Sequence, residues 1–209
     1  MQAFDEPETS RDGDEQWWLE PSGDDTDARA IAAGLRAERR LFQLRCRLPL
    51  PPELGRPTPT RAFRPGVDDD AWLTVNASAF ADHPDQGRWT HDDLREHLAA
   101  AWFDPDGFRI HEVGGQIAGF CWTKVHPAVA ADVRRGEIFV IGVDPAFQGR
   151  GLGRGLTAAG LDWLWQRDHL DIAMLYVEAG NEPARALYDS MGFHHHSTRT
   201  GYQRSRSAS

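Results

Sequence analysis

Three observations predict an α/β fold with a mixed sheet that carries helices on both faces. Apolar residues along 60–203 alternate between a two-residue and a helical period. Two glycines at 114–115 separate two apolar runs, a pattern typical of a β-hairpin. A β-branched run and Asp-Pro over 140–145 lead into a loop rich in glycine and arginine, and a helical pattern begins directly afterwards at Leu152.

The first half of this region predicts one strand and two helices. An apolar segment opens at residues 60–64, and residues 68–80 carry aromatic and aliphatic side chains at helical spacing. Residues 82–88 combine aspartate, proline and glycine, which indicates a turn. Thr90 is followed by acidic residues and resembles a helix N-cap with an acidic first turn, so we expect a second helix to about Ala101.

The second half predicts five strands and two further helices. The shorter helix has a proline in its first turn and ends before Gly192, which suits a C-terminal cap. The predicted elements are strands over 108–113, 116–125 and 136–143, a helix over 152–166, a strand over 173–178, a helix over 183–190 and a strand over 193–202. The order β-α-α-β-β-β-α-β-α-β follows.

Three segments precede this domain, which we assign to residues 60–209. Residues 1–27 hold ten acidic side chains and one arginine, so we expect a solvated or disordered lead. Residues 28–48 predict a helix leading into a short strand over 41–47. Prolines are dense from residue 49 onward, and residues 49–59 are interpreted as a linker.

The glycine-arginine loop carries the main functional signal. Backbone N–H groups in such a loop, beside a helix N-terminus, suit a pyrophosphate. The spacing Gln148-x-x-Gly151-x-Gly153 lacks the Gly-Lys-Ser/Thr of a Walker A motif, and it is not the Rossmann G-x-G-x-x-G. It resembles the acetyl-CoA loop of the GNAT acetyltransferases, and the element order over 60–203 is also the GNAT order.

Longer stretches resemble one GNAT family, the C-terminal catalytic half of mycothiol synthase. They are AFADHPDQG at 79–87, WFDPDG at 102–107, GFCWTKVH at 119–126, GEIFVIGVDP at 136–145 and LYVEAGN at 175–181. The resemblance implies acetylation of the cysteinyl amine of 1D-myo-inositol 2-(L-cysteinylamino)-2-deoxy-α-D-glucopyranoside, the last step of mycothiol biosynthesis in actinobacteria. Residues 28–48 resemble the last helix and strand of a first GNAT half, so we expect either that the chain start is set late or that this half is truncated. Gly180 departs from the family, which usually has an acidic residue there.

The resemblance makes Glu137 the general base and Tyr188 the general acid. Glu137 opens the strand that leads to the loop, where a carboxylate can take a proton from the amine directly or through one water. The phenol of Tyr188 can protonate the departing CoA thiolate. The alternative interpretations are a solvent-facing glutamate at a strand edge and a core tyrosine.

Further residues are expected to bind acetyl-CoA and the acceptor. The main chain of residues 141–143 suits the pantetheine arm, which can add to the sheet like a strand. The expected cofactor-binding residues are Ile141, Gly142, Val143, Gln148, Gly149, Arg150, Gly151, Leu152, Gly153, Arg154, Asn181, Glu182, Pro183, Ala184, Arg185 and Ala186. The expected acceptor-binding residues are Asp85, Lys124, Glu137 and Tyr176. Each has a structural alternative, such as a solvated arginine, a turn aspartate or a core tyrosine.

Composition limits the partners and the cellular location that the chain can have. The net charge of −9 argues against nonspecific nucleic-acid binding. No apolar stretch of about 18 residues or basic-then-apolar leader occurs, so we expect no membrane span and a cytoplasmic location. Two distant cysteines fit a reducing compartment, and Cys121 is expected to be a buried small hydrophobe. We expect a monomer. We also expect no metal site at the triple histidine of residues 194–196, because successive residues of a strand point to opposite faces.

Two other functions stay open at this point. A GNAT enzyme for a protein N-terminus or another small amine has the same fold and loop. A non-catalytic acyl-CoA-binding remnant is the second alternative, and the presence of both Glu137 and Tyr188 opposes it. Because a fold does not fix a function, the acceptor decides between these hypotheses.

Overall fold

The computed structural model describes residues 7–9, 15–83, 86–128 and 132–204. The order of the elements from residue 60 onward is the predicted one. The helices and strands are β1 (Glu8–Thr9), β2 (Glu15–Leu19), α1 (Asp24–Ala32), β3 (Leu35–Arg47), β4 (Arg61–Ala62), α2 (Asp69–Ala79), α3 (His91–Leu98), β5 (Phe108–Val113), β6 (Gln116–His126), β7 (Arg135–Val143), α4 (Leu152–Asp168), β8 (Ile172–Glu178), α5 (Glu182–Asp189) and β9 (His194–Arg204).

The chain folds into two units. The central unit comprises Cys46–Leu175 and Ser190–Phe193. The terminal unit comprises Met1–Arg45, Tyr176–Asp189 and His194–Ser209. Along the chain, β8 therefore begins in the central unit and ends in the terminal unit.

The central unit contains the predicted mixed sheet, with strand order β4-β5-β6-β7-β8. β5 and β6 pair antiparallel from Phe108 with Trp122 to Val113 with Gln116. Their hairpin turn contains the two predicted glycines, both at positive φ. β6 also pairs antiparallel with β7, and β7 pairs parallel with the start of β8 over residues 136–138. The mixture of both pairings confirms the predicted fold class.

Aromatic side chains fill one face of the central sheet beneath α2 and α3. Trp72 of α2 is fully buried and makes edge contacts with Phe108, Phe120 and Trp122. Phe108 stacks on Trp122 with the ring centroids 4.3 Å apart. Thr90 and Asp93 form the capping box that begins α3, which confirms the predicted N-cap. α3 ends at Leu98, three residues before the predicted end.

Glycines allow α4 to approach the other face of the sheet closely. A Cβ added at Gly160 of α4 would lie 2.5 Å from Cys121 Sγ on β6 and 2.7 Å from Ile138 Cδ1 on β7. A Cβ at Gly136 would lie 2.6 Å from Leu164 Cδ1. Real Cβ atoms do not tolerate such distances, so the close packing depends on glycine at these positions.

The segment predicted as a linker packs against α4. Thr58 N donates to Gly155 O at 3.1 Å, and a Cβ added at Gly55 would lie 3.1 Å from Met191. Leu54 O of the segment also accepts from Arg154 Nη1 on α4 at 2.7 Å, so hydrogen bonds join the two in both directions. Residues 49–59 are therefore part of the central unit and do not separate two bodies.

The terminal unit has the strand order β1-β2-β9-β3, all antiparallel. The prediction of a disordered acidic lead is wrong for residues 15–27, which form β2 and the start of α1. Trp17 is only 8% exposed and packs with Ala30, Leu35 and Tyr202. The buried aromatic and apolar groups outweigh the charge repulsion that the composition suggested. β3 is also longer than predicted and begins at Leu35.

Among the described residues, every helix falls short of a membrane span in length or in apolar character.

We expect Gly160→Ala to lower the free energy of unfolding by about 1–2 kcal/mol, because the overpacked contacts exceed the gain of about 1 kcal/mol in helix propensity. Gly180→Ala is the control, since a Cβ there meets no atom within 4 Å. Urea unfolding of both variants tests this. Equal stability of Gly160→Ala and the parent would contradict the close packing of α4.

We expect Asp68 to make the protein acid-sensitive. Burial tends to raise the pKa of this carboxyl, but hydrogen bonds from Arg64 and Arg61 outweigh burial and lower it to about 2. Since the folded pKa lies below the unfolded value of about 3.9, the stabilisation is complete above about pH 5 and is lost as the pH falls towards 2.

The test compares Asp68→Asn with the parent by urea unfolding at pH 6 and pH 3. The parent should be more stable by about 2 kcal/mol at pH 6, and this gap should shrink at pH 3. A gap that does not depend on pH would show that the ion pairs of Asp68 do not stabilise the fold.

Candidate active site

Alternation along β7 determines where the Glu137 side chain lies. Its neighbours Gly136 and Ile138 face α4, as the contacts of Leu164 and Gly160 demonstrate. Because successive residues of a strand point to opposite faces, Glu137 lies on the face covered by α2 and α3. The sequence predicted this strand but not the face on which the carboxylate lies.

The Glu137 carboxylate is buried and hydrogen-bonded. The residue is 7% exposed, and its Oε2 lies 2.6 Å from Nε2 of His126 on β6. An ionised carboxylate only accepts hydrogen bonds, so the imidazole donates from Nε2. His126 is not among the predicted site residues. A signal for it was present, because His126 lies two positions after Lys124 on the same strand, and residues at this spacing share one face of the sheet.

Lys124 lies directly opposite Glu137 in the β6–β7 ladder. Its Nζ lies 4.5 Å from the ring centroid of Trp102 and 5.4 Å from that of Phe139. A cation over an aromatic face is stabilised by the ring quadrupole. The ammonium thus lies over an aromatic surface on the residue that pairs with Glu137, where it can also donate to a polar ligand.

A β-bulge at Phe139 shapes this side of the sheet. Trp122 pairs with Val140 and Thr123 with Ile138, so Phe139 has no partner of its own on β6. Its ring lies 5.0 Å from Trp102. Bulges redirect side chains and are frequent beside active sites. Here the bulge brings an aromatic ring next to Glu137 and Lys124.

The end of β7 has main-chain donors on the edge away from β6. Asp144 N donates to Ala118 O on the β6 side at 3.0 Å. Since peptide groups alternate along a strand, the N–H groups of Val143 and Ile141 point to the other edge. The parallel ladder on that edge covers residues 136–138. These two N–H groups lie beyond it, as an added extended chain requires.

The loop after β7 contains two glycines in an unusual backbone conformation. Gly149 and Gly151 have φ of 74° and 77°, a left-handed conformation that other residues adopt at a cost. Gly151 is the N-cap of α4, and within the described residues no side chain caps this helix start. The first N–H groups of a 17-residue helix are thus available to an anion.

The polar side chains of the loop have different surroundings. Arg150 is exposed, lies 5.3 Å from the Phe147 ring and donates to Ala146 O at 3.2 Å. Arg154 donates to Leu54 O at 2.7 Å and to Ser190 Oγ at 2.6 Å. Gln148 donates to Val143 O at 3.2 Å. Arg154 therefore holds neighbouring segments together, whereas Arg150 extends into solvent.

Tyr176, a predicted acceptor-binding residue, lies in the terminal unit within a polar cluster. Its hydroxyl donates to Glu20 at 2.6 Å and accepts from Gln43 at 2.9 Å. Burial and the hydrogen bond to Glu20 raise the pKa of Tyr176 to about 12. Glu20 also accepts from Ser197. Glu20 is not among the predicted site residues, because the acidic composition of its segment suggested a disordered lead.

The remaining predicted cofactor residues belong to the start of α5, also in the terminal unit. Asn181 Oδ1 accepts from Ala184 N at 3.1 Å and thus caps the helix. Arg185 donates to Ala179 O at 2.8 Å and lies 4.9 Å from the Phe42 ring. Tyr188, the predicted general acid, is 7% exposed. Glu182, Pro183 and Ala186 complete the predicted set and belong to the first turns of this helix.

Two further predictions concern a turn and a thiol. Asp85, predicted to bind the acceptor, lies outside the described residues. Cys121 is fully buried, and burial raises the pKa of its thiol to about 12. A thiol that stays protonated is a poor nucleophile, which agrees with the predicted packing role.

The comparisons with known proteins begin with a family match. The model of the acetyltransferase (GNAT) family matches residues 72–193. This stretch contains β7, the glycine loop and Glu137. A crystal structure of a GCN5-related N-acetyltransferase from Sphaerobacter thermophilus covers 90% of this chain with a TM-score of 0.67 and 22% identity, and the match covers 58% of that chain. This structural likeness concerns the fold alone.

Two curated relatives carry the name mycothiol acetyltransferase. The protein of Salinispora arenicola is 51% identical over 189 residues, which cover 88% of this chain and 61% of the relative. The protein of Acidothermus cellulolyticus is 46% identical over 194 residues, which cover 87% of this chain and 59% of the relative. The chain thus spans about three fifths of the length of these relatives.

Proposed function

Because this chain belongs to the acetyltransferase (GNAT) family, we propose that it transfers the acetyl group of acetyl-CoA to an amine. The proposed acceptor is the cysteinyl amine of 1D-myo-inositol 2-(L-cysteinylamino)-2-deoxy-α-D-glucopyranoside, and the product is mycothiol. The 51% and 46% identities to proteins named mycothiol acetyltransferase support this acceptor.

One observation carries the proposal. A buried carboxylate, Glu137, lies on the strand that leads into the uncapped N-terminus of α4. GNAT chemistry needs a base close to the acyl group of acetyl-CoA and a binding site for its pyrophosphate. Here a single strand-loop-helix segment supplies candidates for both.

Glu137 is the proposed general base. An α-amino group has a pKa near 7.7–8.0, so roughly a tenth or more of it is neutral at pH 7. The base then has a modest task, which is to accept the proton as the amine nitrogen attacks the thioester carbonyl. A well-placed carboxylate contributes about 10²–10⁴-fold to the rate of such a step.

The loop after β7 is the proposed CoA site. The N–H groups at the start of α4 and the exposed Arg150 suit the negatively charged pyrophosphate. The outward N–H groups of Ile141 and Val143 suit the amides of the pantetheine arm, which would extend the sheet. Arg154 is assigned a supporting role, because its donors already bind Leu54 and Ser190.

The remaining assignments stay predictions from the family resemblance. Tyr188 is proposed to protonate the CoA thiolate, and Asp85, Lys124 and Tyr176 to contact the acceptor. Lys124 has the strongest support, because it lies opposite Glu137 beside two aromatic rings. Such a surface suits a polyol, whose hydroxyls accept from the ammonium while its carbon faces contact the rings.

We expect Glu137→Gln to lower kcat by about 10²–10⁴-fold with little change in acetyl-CoA affinity, since the amide cannot act as a base. Release of CoA thiol is followed with acetyl-CoA and the cysteinyl pseudo-disaccharide. Glu38→Gln, a change of an exposed strand residue, is the matched control. Tyr188→Phe should lower kcat as well.

Three results contradict the proposal in different ways. Turnover of peptides but not of the pseudo-disaccharide would assign another acceptor. Binding of acetyl-CoA without turnover of any amine would identify a non-catalytic binding protein. Full activity of Glu137→Gln would exclude this carboxylate as the base.

We expect Arg150→Gln to raise the Kd for acetyl-CoA by about tenfold, the loss of one charge-assisted hydrogen bond. The difference in Kd between the parent and Arg150→Gln should shrink at high salt, because salt screens the charge of an exposed guanidinium. Arg154→Gln should instead lower the melting temperature, as it removes the links to Leu54 and Ser190. Calorimetric titration at two salt concentrations measures the first effect, and an unchanged Kd for Arg150→Gln would contradict the assignment.

A further inference from the structure

We propose that His126 is a positioning residue that holds the Glu137 carboxylate in the orientation needed to take a proton from the acceptor amine. This inference rests on the proposed function, because it concerns the same base. The family resemblance assigned no role to His126. The evidence for the positioning role is the geometry of the β6–β7 ladder around Glu137.

The contact joins one oxygen of the carboxylate to one nitrogen of the imidazole. His126 Nε2 lies 2.6 Å from Glu137 Oε2. A charge-assisted hydrogen bond of this length restricts rotation about the last torsion of the glutamate, which is otherwise broad. Oε2 thereby has a partner, and Oε1 is the oxygen that the proposal assigns to the amine. The side chain of His126 is 26% exposed and that of Glu137 only 9%, so the imidazole is the more accessible of the two partners.

The other charged groups of the ladder near Glu137 have different partners. Lys124, opposite Glu137 on β6, places its ammonium over the Trp102 ring at 4.5 Å. Arg135, opposite His126 on β7, pairs with Asp132 at 2.6 Å and with Met174 Sδ at 3.1 Å. From α3, His97 faces the Phe139 ring and binds Asp93 O through Nδ1. Among these groups in the described part of the chain, His126 is the one that contacts the carboxylate.

Orientation matters here because the rate of proton transfer falls steeply as the distance between donor and acceptor increases. A displacement of about 1 Å in a catalytic group can cost about 10²-fold in rate. Loss of this donor should not weaken the binding of acetyl-CoA, since the proposed CoA site is the loop after β7 and does not include His126. Loss of His126 should therefore act on kcat and leave the affinity for acetyl-CoA unchanged.

The kinetic test compares His126→Leu with His126→Gln. We expect His126→Leu to lower kcat by about 10- to 100-fold, with the KM for acetyl-CoA within about twofold. His126→Gln should restore most of the rate, because its amide can donate to the same oxygen. The control is His91→Gln, another histidine paired with a carboxylate, Asp70, but exposed on α3. Wild-type kcat in His126→Leu would overturn the proposal.

Rescue by glutamine separates positioning from a loss of structure. His126→Gln keeps a donor close to the same carboxylate oxygen, so its kcat should return towards the parent value while that of His126→Leu stays low. An equal loss of rate in both variants would indicate general damage and overturn the positioning role.

A second measurement does not need turnover. Nitrogen-15 NMR of the histidine ring reports which nitrogen carries the proton. We expect His126 to be fixed with the proton on Nε2 in the parent and to lose this preference in Glu137→Leu and Glu137→Ala. An unchanged ring signal in both variants would overturn the contact. Thermal unfolding of each variant confirms that the comparison is made on folded protein.

Failure of the proposed acceptor is distinguishable from failure of this inference. If the pseudo-disaccharide is not acetylated but another amine is, the His126 variants are compared with that amine. If no amine is acetylated, the proposed function is wrong, and the NMR result alone decides whether His126 holds Glu137.

Discussion

The close approach of α4 to β6 and β7 is the constraint on which the arrangement of the candidate site depends. Gly160 on α4 and Gly136 on β7 lie so close to side chains of the facing element that neither position has room for a Cβ. This contact fixes which residues of β7 face the helix. Gly136 and Ile138 face α4. Glu137, which lies between these two residues on β7, must then face the other side, where His126, Lys124 and the aromatic rings lie. A one-residue change of register would reverse all of these orientations.

The same helix also connects the two proposed tasks of the site. Its N-terminus follows β7 through a loop whose left-handed glycines turn the chain without a capping side chain. The N–H groups at this end and the carboxylate on the preceding strand are therefore held by one rigid segment. Catalytic groups on strands and helices keep their positions better than groups on mobile loops. Arg154 reinforces the segment through Leu54 and Ser190, while Arg150 keeps its charge exposed.

The acidic N-terminal segment illustrates how burial overrides composition. Its many carboxylates suggested a disordered lead, yet Trp17 is buried and Glu20 accepts hydrogen bonds from Tyr176 and Gln43. Asp27 similarly accepts from Tyr202 at 2.7 Å. Several of the acidic side chains are thus specific partners of buried polar groups. Counting charges cannot distinguish such carboxylates from solvated ones, because the distinction depends on strands far away in the sequence.

Local signals in the chain predict the order of the elements from residue 60 onward, the hairpin at the paired glycines, the N-cap at Thr90 and the glycine loop before α4. All of these follow from local periodicity, capping and glycine chemistry. Long-range contacts are needed to order residues 15–27, to pack the proline-rich segment on α4, to bind Arg154 by main chain and side chain, and to bring His126 to Glu137. These features depend on pairing between strands and on burial between distant segments, and a local pattern does not contain that information.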